Sequence, residues 1–244
     1  MQAVALQNTE EVFALKARIK FRKYGVMKFI GHLDVMRFFQ KAMRRAEIPI
    51  AFTGGYSPHM IMSFANPLGV GVTSDGEYFD IELTEEIDLT EATQKLDDVM
   101  VEGMEIVNMV YISDDKKKTG MSIVAAADYL SWVKEDVLPQ NWQEQVELFM
   151  KQEEILVVKS TKKSQKEVDI KPMIYQLHPR EDGLFMQIAT GSVENLKPEL
   201  VMQAFCEFLG LDLEQITFVH HRLEVYADIG NEQTHQFVSL DKVK

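Results

Sequence analysis

Within residues 13–23, FALKARIKFRK, positions 15–22 alternate without exception: Leu15, Ala17, Ile19 and Phe21 against Lys16, Arg18, Lys20 and Arg22. That period of two is the mark of a strand with one face in a core and the other turned away from it. The pattern also fixes a chemical problem. Four cations lie on one face, about 6.6 Å apart along the strand, near the spacing of successive phosphates in a nucleic acid. Either they track an anion or they pair across the sheet with carboxylates such as Asp80 and Glu82, which share a face of the expected neighbouring strand.

The next segment of chain supplies a cover for the strand's apolar face. In HLDVMRFFQKAMRRAE, residues 32–47, apolar Leu33, Met36, Phe39, Met43 and Ala46 recur at helical spacing, with Arg37, Lys41, Arg44 and Arg45 toward another side. HMIMSFA and EYFDIELT read as strands joined through the turn-rich NPLGVGVTSDG, and DLTEATQKLDDVMVEG reads as a helix with Asp88 as N-cap and Gly103 as stop. MEIVNMVYI closes the set as a strand. The order β-α-β-β-α-β is the split βαβ of ferredoxin-like folds.

The order then repeats. SDDKKKTG, residues 113–120, is a charged turn suited to a boundary, followed by strand MSIVAAADYLSWV, helix LPQNWQEQVELFMKQ, strands ILVVKST and GLFMQIAT, helix KPELVMQAFCEFLG and strand ITFVHHRLEVYA. Between the middle strands lies a long stretch, 162–182, of which only the middle reads as ordered. The expectation is an α+β protein of two tandem ferredoxin-like βαββαβ domains with antiparallel sheets, residues 1–114 and 115–228, plus a polar tail, 229–244. Strands such as MEIVNMVYI are apolar on both faces, which predicts two sheets facing each other around a cleft.

Charge matters because it is uneven. The 244 residues carry a net charge of −12, yet residues 14–63 hold ten basic residues against Asp34 and Glu47. An acidic chain with one basic segment is unsuited to indiscriminate nucleic-acid binding and limits an anion-binding surface to that segment. The candidate set is Lys16, Arg18, Lys20, Arg22, Lys28, Arg37, Lys41, Arg44 and Arg45. Strand and helix cations flank one loop, so they converge only if strand face and helix start open into one cleft. That loop holds His32 and Asp34. Both fit helix-start roles; in a catalytic reading His32 moves a proton beside Tyr24, Asp34 or His59. A metal site is not predicted, since His32, Asp34 and His59 lack a fourth ligand at recognisable spacing. Adjacent His220 and His221 point to opposite faces of their strand.

Other classes fall away. The single Cys206 cannot form an intrachain disulfide, a cysteine-ligated zinc site or an iron–sulfur cluster, so no cofactor is expected. PLGVGVTSDGEY leads into a strand and so is a hairpin tip, not a phosphate loop. No stretch is long and apolar enough for a membrane span, and MQAVALQNTEEV lacks the order of a signal peptide, so a cytoplasmic protein is expected.

Taken together, KYG, GHLD, RFFQKAMRRAEIP, GGYSPH and PLGVGVTSDGEYFDIEL resemble a bacterial family of uncharacterised function found beside, or fused to, radical S-adenosylmethionine enzymes. The resemblance is strongest from Lys23 to Leu83 and continues to VDIKP near Val168. It implies that His32, Asp34, Pro67, Leu68, Gly69, Gly76, Glu77 and Asp80, among others, belong to the family core. It implies a radical S-adenosylmethionine enzyme as partner and, through neighbouring ribosomal-protein and ribonuclease genes, a setting in RNA metabolism. In outline the paired arrangement is also similar to the RAMP proteins of CRISPR systems. The leading expectation is thus a non-catalytic RNA-binding or substrate-presenting partner of such an enzyme. The alternatives are a metal-independent endoribonuclease or nucleotide-processing enzyme using His32, and an interaction module that docks the enzyme without RNA.

Overall fold

A computed structural model describes residues 14–160, 165–231 and 233–243. The first half runs β1 (Leu15–Lys23), a 3-10 turn (Gly25–Phe29), α1 (His32–Arg45), β2 (Met62–Phe64), β3 (Thr73–Leu83), α2 (Leu89–Asp97) and β4 (Met104–Ile112). After a short α3 (Gly120–Ile123), the second half runs β5 (Val124–Val133), α4 (Trp142–Met150), β6 (Leu156–Ser160), β7 (Gln165–Asp169), β8 (Ile174–Arg180), β9 (Gly183–Ala189), α5 (Pro198–Phe208), β10 (Phe218–Asp228) and β11 (Phe237–Ser239). Phe13 and residues 161–164, where the long polar stretch begins, lie outside the described residues.

The fold is mixed α+β with a mostly antiparallel sheet and five α-helices among the described residues. Strands follow the order β4-β1-β3-β10-β5-β9-β8, with β2 on β3 and β11 on β10, and β6 and β7 form a separate hairpin. The two facing sheets expected from sequence are therefore replaced by one continuous sheet. β2 covers β3 only at Phe79–Ile81. The far end of the eleven-residue β3 stays open, and Thr73 and Ser74 there pair in parallel with His221 and Arg222 of β10. Gly76 permits the approach: a Cβ at that position would sit 2.6 Å from Glu224 Oε1 and 3.0 Å from the Glu224 and Leu223 backbone. The doubly apolar look of β4 reflects its outer position, where Val107 is 42% exposed.

One sheet face carries the long helices. Ile19, Phe21, Phe79 and Ile81 bury against Val35, Phe39 and Met43 of α1 and Leu96 of α2. Phe39 anchors this core, its ring 4.6 Å from Phe79 and 4.8 Å from Phe21 between centroids. A separate cluster joins Val146 and Phe149 of α4 and Val201, Met202 and Phe205 of α5 to Met186, Val225 and their neighbours. α2 starts on the expected cap, the Asp88 carboxylate accepting from the N–H groups of Thr90 and Glu91. α1 starts differently, with Gly31 as N-cap and no side-chain cap bond, while Asp34 in its first turn and Arg44 and Arg45 in its last match the helix dipole.

Three further expectations change. The described residues of the stretch 162–182 contribute β7 and β8, and α3 precedes β5 where strand was expected. The described residues of the polar tail, 229–244, pack on the sheet: β11 pairs with β10, the next turn (Leu240–Lys242) packs Leu240 at 0% exposure, and Asp241 accepts from Asn108 Nδ2 at 2.9 Å. This segment straps both halves together. No helix among the described residues is long and apolar enough to cross a membrane. Leu240→Ala is expected to lower unfolding free energy by about 2–5 kcal/mol, read from the urea midpoint.

Candidate functional site

Alternation along β1 decides where its cations go. Ala17, Ile19 and Phe21 face α1, so Lys16, Arg18, Lys20 and Arg22 face the opposite side of the sheet. There each meets carboxylates. Lys16 Nζ is 2.5 Å from Asp114 Oδ1, and Lys20 Nζ is 2.5 Å from Glu224 Oε2. Arg22, half exposed, lies between Asp75 at 3.6 Å and Glu105 at 3.3 Å. Arg18 is fully buried: Nε and Nη2 donate to the two oxygens of Asp80 at 2.7 and 3.0 Å, Nη1 to Leu240 O at 2.9 Å, and Nη2 also to Lys118 O at 3.0 Å. Each of the four β1 cations thus has a carboxylate beside it, so the row expected to track phosphate is occupied within the chain. Asp80 was legible as a partner; Asp114 and Glu224, in other elements, were not.

The α1 cations lie on the helix side, so the two sets do not converge on one cleft. Arg37, Lys41 and Arg44 are exposed, Arg37 with a 3.4 Å contact to Asp34 one turn earlier. Arg45 donates to Val99 O at 2.8 Å. Lys28 sits 5.1 Å from the centroid of the Phe29 ring. Around it the 3-10 turn and the start of α1 leave Val26, Phe29 and Leu33 exposed at 75%, 66% and 59%.

The proposed proton-transfer group disperses. His32 packs edge-on against Phe64 with centroids 5.0 Å apart, and burial pushes its pKa down. His59 contacts Thr53 Oγ1 through Nδ1, and the Tyr24 hydroxyl donates to Glu105, which pushes the phenol pKa up. No three His, Cys, Asp or Glu residues are grouped to hold a metal among the described residues. His220 and His221 do diverge: His220 Nδ1 meets Ser131 Oγ at 2.9 Å, whereas His221 links Thr73 Oγ1 at 2.7 Å to Asp75 Oδ2 at 3.0 Å across the β3–β10 contact.

Between the two apolar clusters runs a polar seam that sequence reasoning missed. Arg222, 4% exposed, donates from Nε to the Tyr129 hydroxyl at 3.0 Å and from Nη1 to Asn66 O and Glu77 Oε1, both at 2.9 Å. Lys23, 2% exposed, donates to Ile30 O at 3.0 Å; burial pushes its pKa down, against the pull of Glu77. Burial pushes the Glu77 carboxyl up, against Arg222, Ser74 and Lys23. Burial opposes the Arg222 charge, but Glu77 and Tyr129 hold it protonated. A cavity of about 390 Å³ opens here, walled by the 66–72 loop and by Lys197–Glu199 at the start of α5, with Tyr129, His220 and Arg222 at its base. His32, Lys23 and Glu77 line an adjoining crevice beneath Pro67 and Leu68, so residues scattered in sequence meet at this seam. Alternation hid it: a bulge between Arg222 and Glu224 puts His220 and Arg222 on the side of Val225 and Ala227, whereas an unbroken period of two groups them with Glu224, Tyr226 and Asp228.

Burial pushes the pKa of His220 down, with Glu199 opposing. A histidine whose folded pKa lies below its unfolded one contributes stability that is complete above the ordinary value of 6.5 and is lost as pH falls through the folded value. His32 has the same sign. Urea midpoints are therefore expected to fall between pH 7.5 and 5.5 (about one unit either side of that value), and His220→Gln to flatten the fall.

Among solved structures, a chain in the "Crystal Structure of a Cbf5-Nop10-Gar1 Complex" is similar at 10% identity and a TM-score of 0.46, covering 86% of this chain and 48% of that one. The chain thus spans about half the length of that neighbour. No curated protein matches it. The model of the family described as "Uncharacterized protein conserved in bacteria (DUF2344)" matches residues 16–198, and the chain belongs to that family.

Proposed function

We propose that this protein is a non-catalytic interaction module that docks an enzyme bearing an acidic surface through the face built from residues 25–44. One observation carries the reading: Val26, Phe29 and Leu33 are exposed together beside Lys28, Arg37, Lys41 and Arg44, cations outside the ion pairs of β1. An apolar centre rimmed by charge is the anatomy of a protein interface, and the charge orients a complementary partner. The resemblance to proteins associated with radical S-adenosylmethionine enzymes supplies the partner, to which this chain presents substrate in RNA or ribosome-related metabolism. RNA as the direct ligand loses support, because β1 offers no open row of cations. The His32 hydrolase reading loses support as well, since its proposed neighbours are bonded elsewhere.

The same reading treats the fold as a duplication. The orders β4-β1-β3-β2 and β10-β5-β9-β8 each fit a ferredoxin-like unit once the β6–β7 hairpin is set aside as an insertion.

Affinity purification from nuclease-treated lysate tests the docking. The wild type is expected to retain the radical enzyme, and Phe29→Asp with Leu33→Asp to weaken association by at least about 30-fold at unchanged Tm. Loss of the partner on nuclease treatment, or full retention by the double variant, contradicts the reading.

A further inference from the structure

We propose that the seam cavity binds a small ligand with an oxyanion head group, a carboxylate or phosphate, attached to an apolar or planar body. The proposal does not depend on the docking reading, because every group involved lies in this chain.

The cavity, about 390 Å³, falls within the range of metabolite sites. Its base holds a guanidinium fixed before any ligand arrives. Tyr129, Asn66 and Glu77 occupy Nε and Nη1 of Arg222, leaving Nη2 without a hydrogen-bond partner among the described residues. A fork held on one side presents its free N–H groups without further ordering, which favours a planar or tetrahedral oxyanion.

A second group points to the same occupant. The His220 side chain is 7% exposed and lines the cavity; Ser131 occupies Nδ1, and Nε2 makes no hydrogen bond, with Glu199 Oε2 3.5 Å away. A buried nitrogen left without a partner carries a desolvation penalty that a ligand oxygen relieves. The third contributor is the start of the eleven-residue α5. Pro198 has no N–H and the Leu200 N–H donates to Lys197 O at 3.0 Å, so with no side-chain cap from Lys197 the donor this turn offers is the Glu199 N–H.

Electrostatics and shape agree with this ligand. Lys23, Lys197 and Arg222 face Glu77 and Glu199, leaving one net positive charge for an anion to meet. The opposite wall is the 66–72 loop, whose Leu68, Val70 and Val72 suit an apolar body rather than a second charge.

Calorimetric titration of the full chain with phenyl phosphate, benzoate and inorganic phosphate tests the assignment. Phenyl phosphate or benzoate is expected to bind at one site per chain, with inorganic phosphate competing; the tighter of the two identifies the head group. Lys197→Glu, an exposed position, is expected to weaken that binding at least tenfold while the unliganded Tm holds, and Arg222→Lys to weaken it further. If Arg222→Lys does not fold, the exposed Lys197 variant still decides. No saturable binding of either aromatic probe at millimolar concentration overturns the proposal, and so does binding that Lys197→Glu leaves unchanged.

Discussion

A single buried guanidinium holds the most distant parts of this chain in one place. Arg18 takes both carboxylate oxygens of Asp80 on the neighbouring strand, the Lys118 carbonyl in the connection between halves, and the Leu240 carbonyl near the C-terminus. Asp80 Oδ2 in turn accepts from Gly120 N at 2.7 Å. With neither side chain more than 8% exposed, removing one partner strands the other in low dielectric, at a cost of about 3–5 kcal/mol. Five donors in a planar fork make Arg suited to such a junction; a Lys could satisfy only part of it.

That junction reassigns the chain's most basic strand. On the face away from the helices, charge is consumed internally: Lys20 and Tyr78 converge on Glu224, and Tyr226 and Gln187 on Asp128. On the helix face, two apolar clusters are divided by Lys23, Glu77 and Arg222. Surface chemistry is left to the apolar and basic rim of α1 and to the seam cavity, the two places where we propose binding. The functional reading therefore shifts from phosphate tracking to recognition of a protein partner and a small anion.

Local pattern carried most of the fold. The alternation through Ile19 and Phe21, the helical recurrence of Phe39 and Met43, and the Asp88 cap each declare their element within a few residues. Opposite orientations of His220 and His221 are a consequence of strand geometry alone. The hidden features are those that depend on contacts between distant residues. Glu224 meets Lys20 across 204 positions, and the halves join through a parallel contact of two residues that no periodicity announces. β8 was obscured by its composition, with polar alternation and Pro179, features tolerated because it is an outer strand. The C-terminal strap reads as polar because its role rests on Leu240 and on backbone carbonyls. The site was partly legible for the same reason: His32, Pro67, Leu68 and Glu77 stood out through resemblance, whereas Arg222 and Tyr129 come from the other half.

The central claim is that the basic strand is structural, and a double-mutant cycle on Arg18→Met and Asp80→Asn, with stability read by urea unfolding, measures it. Each single substitution is predicted to cost about 3–5 kcal/mol and the pair far less than their sum, a coupling above about 2 kcal/mol. Effects that add within about 0.5 kcal/mol, or an Arg18→Met protein as stable as wild type, would contradict the account.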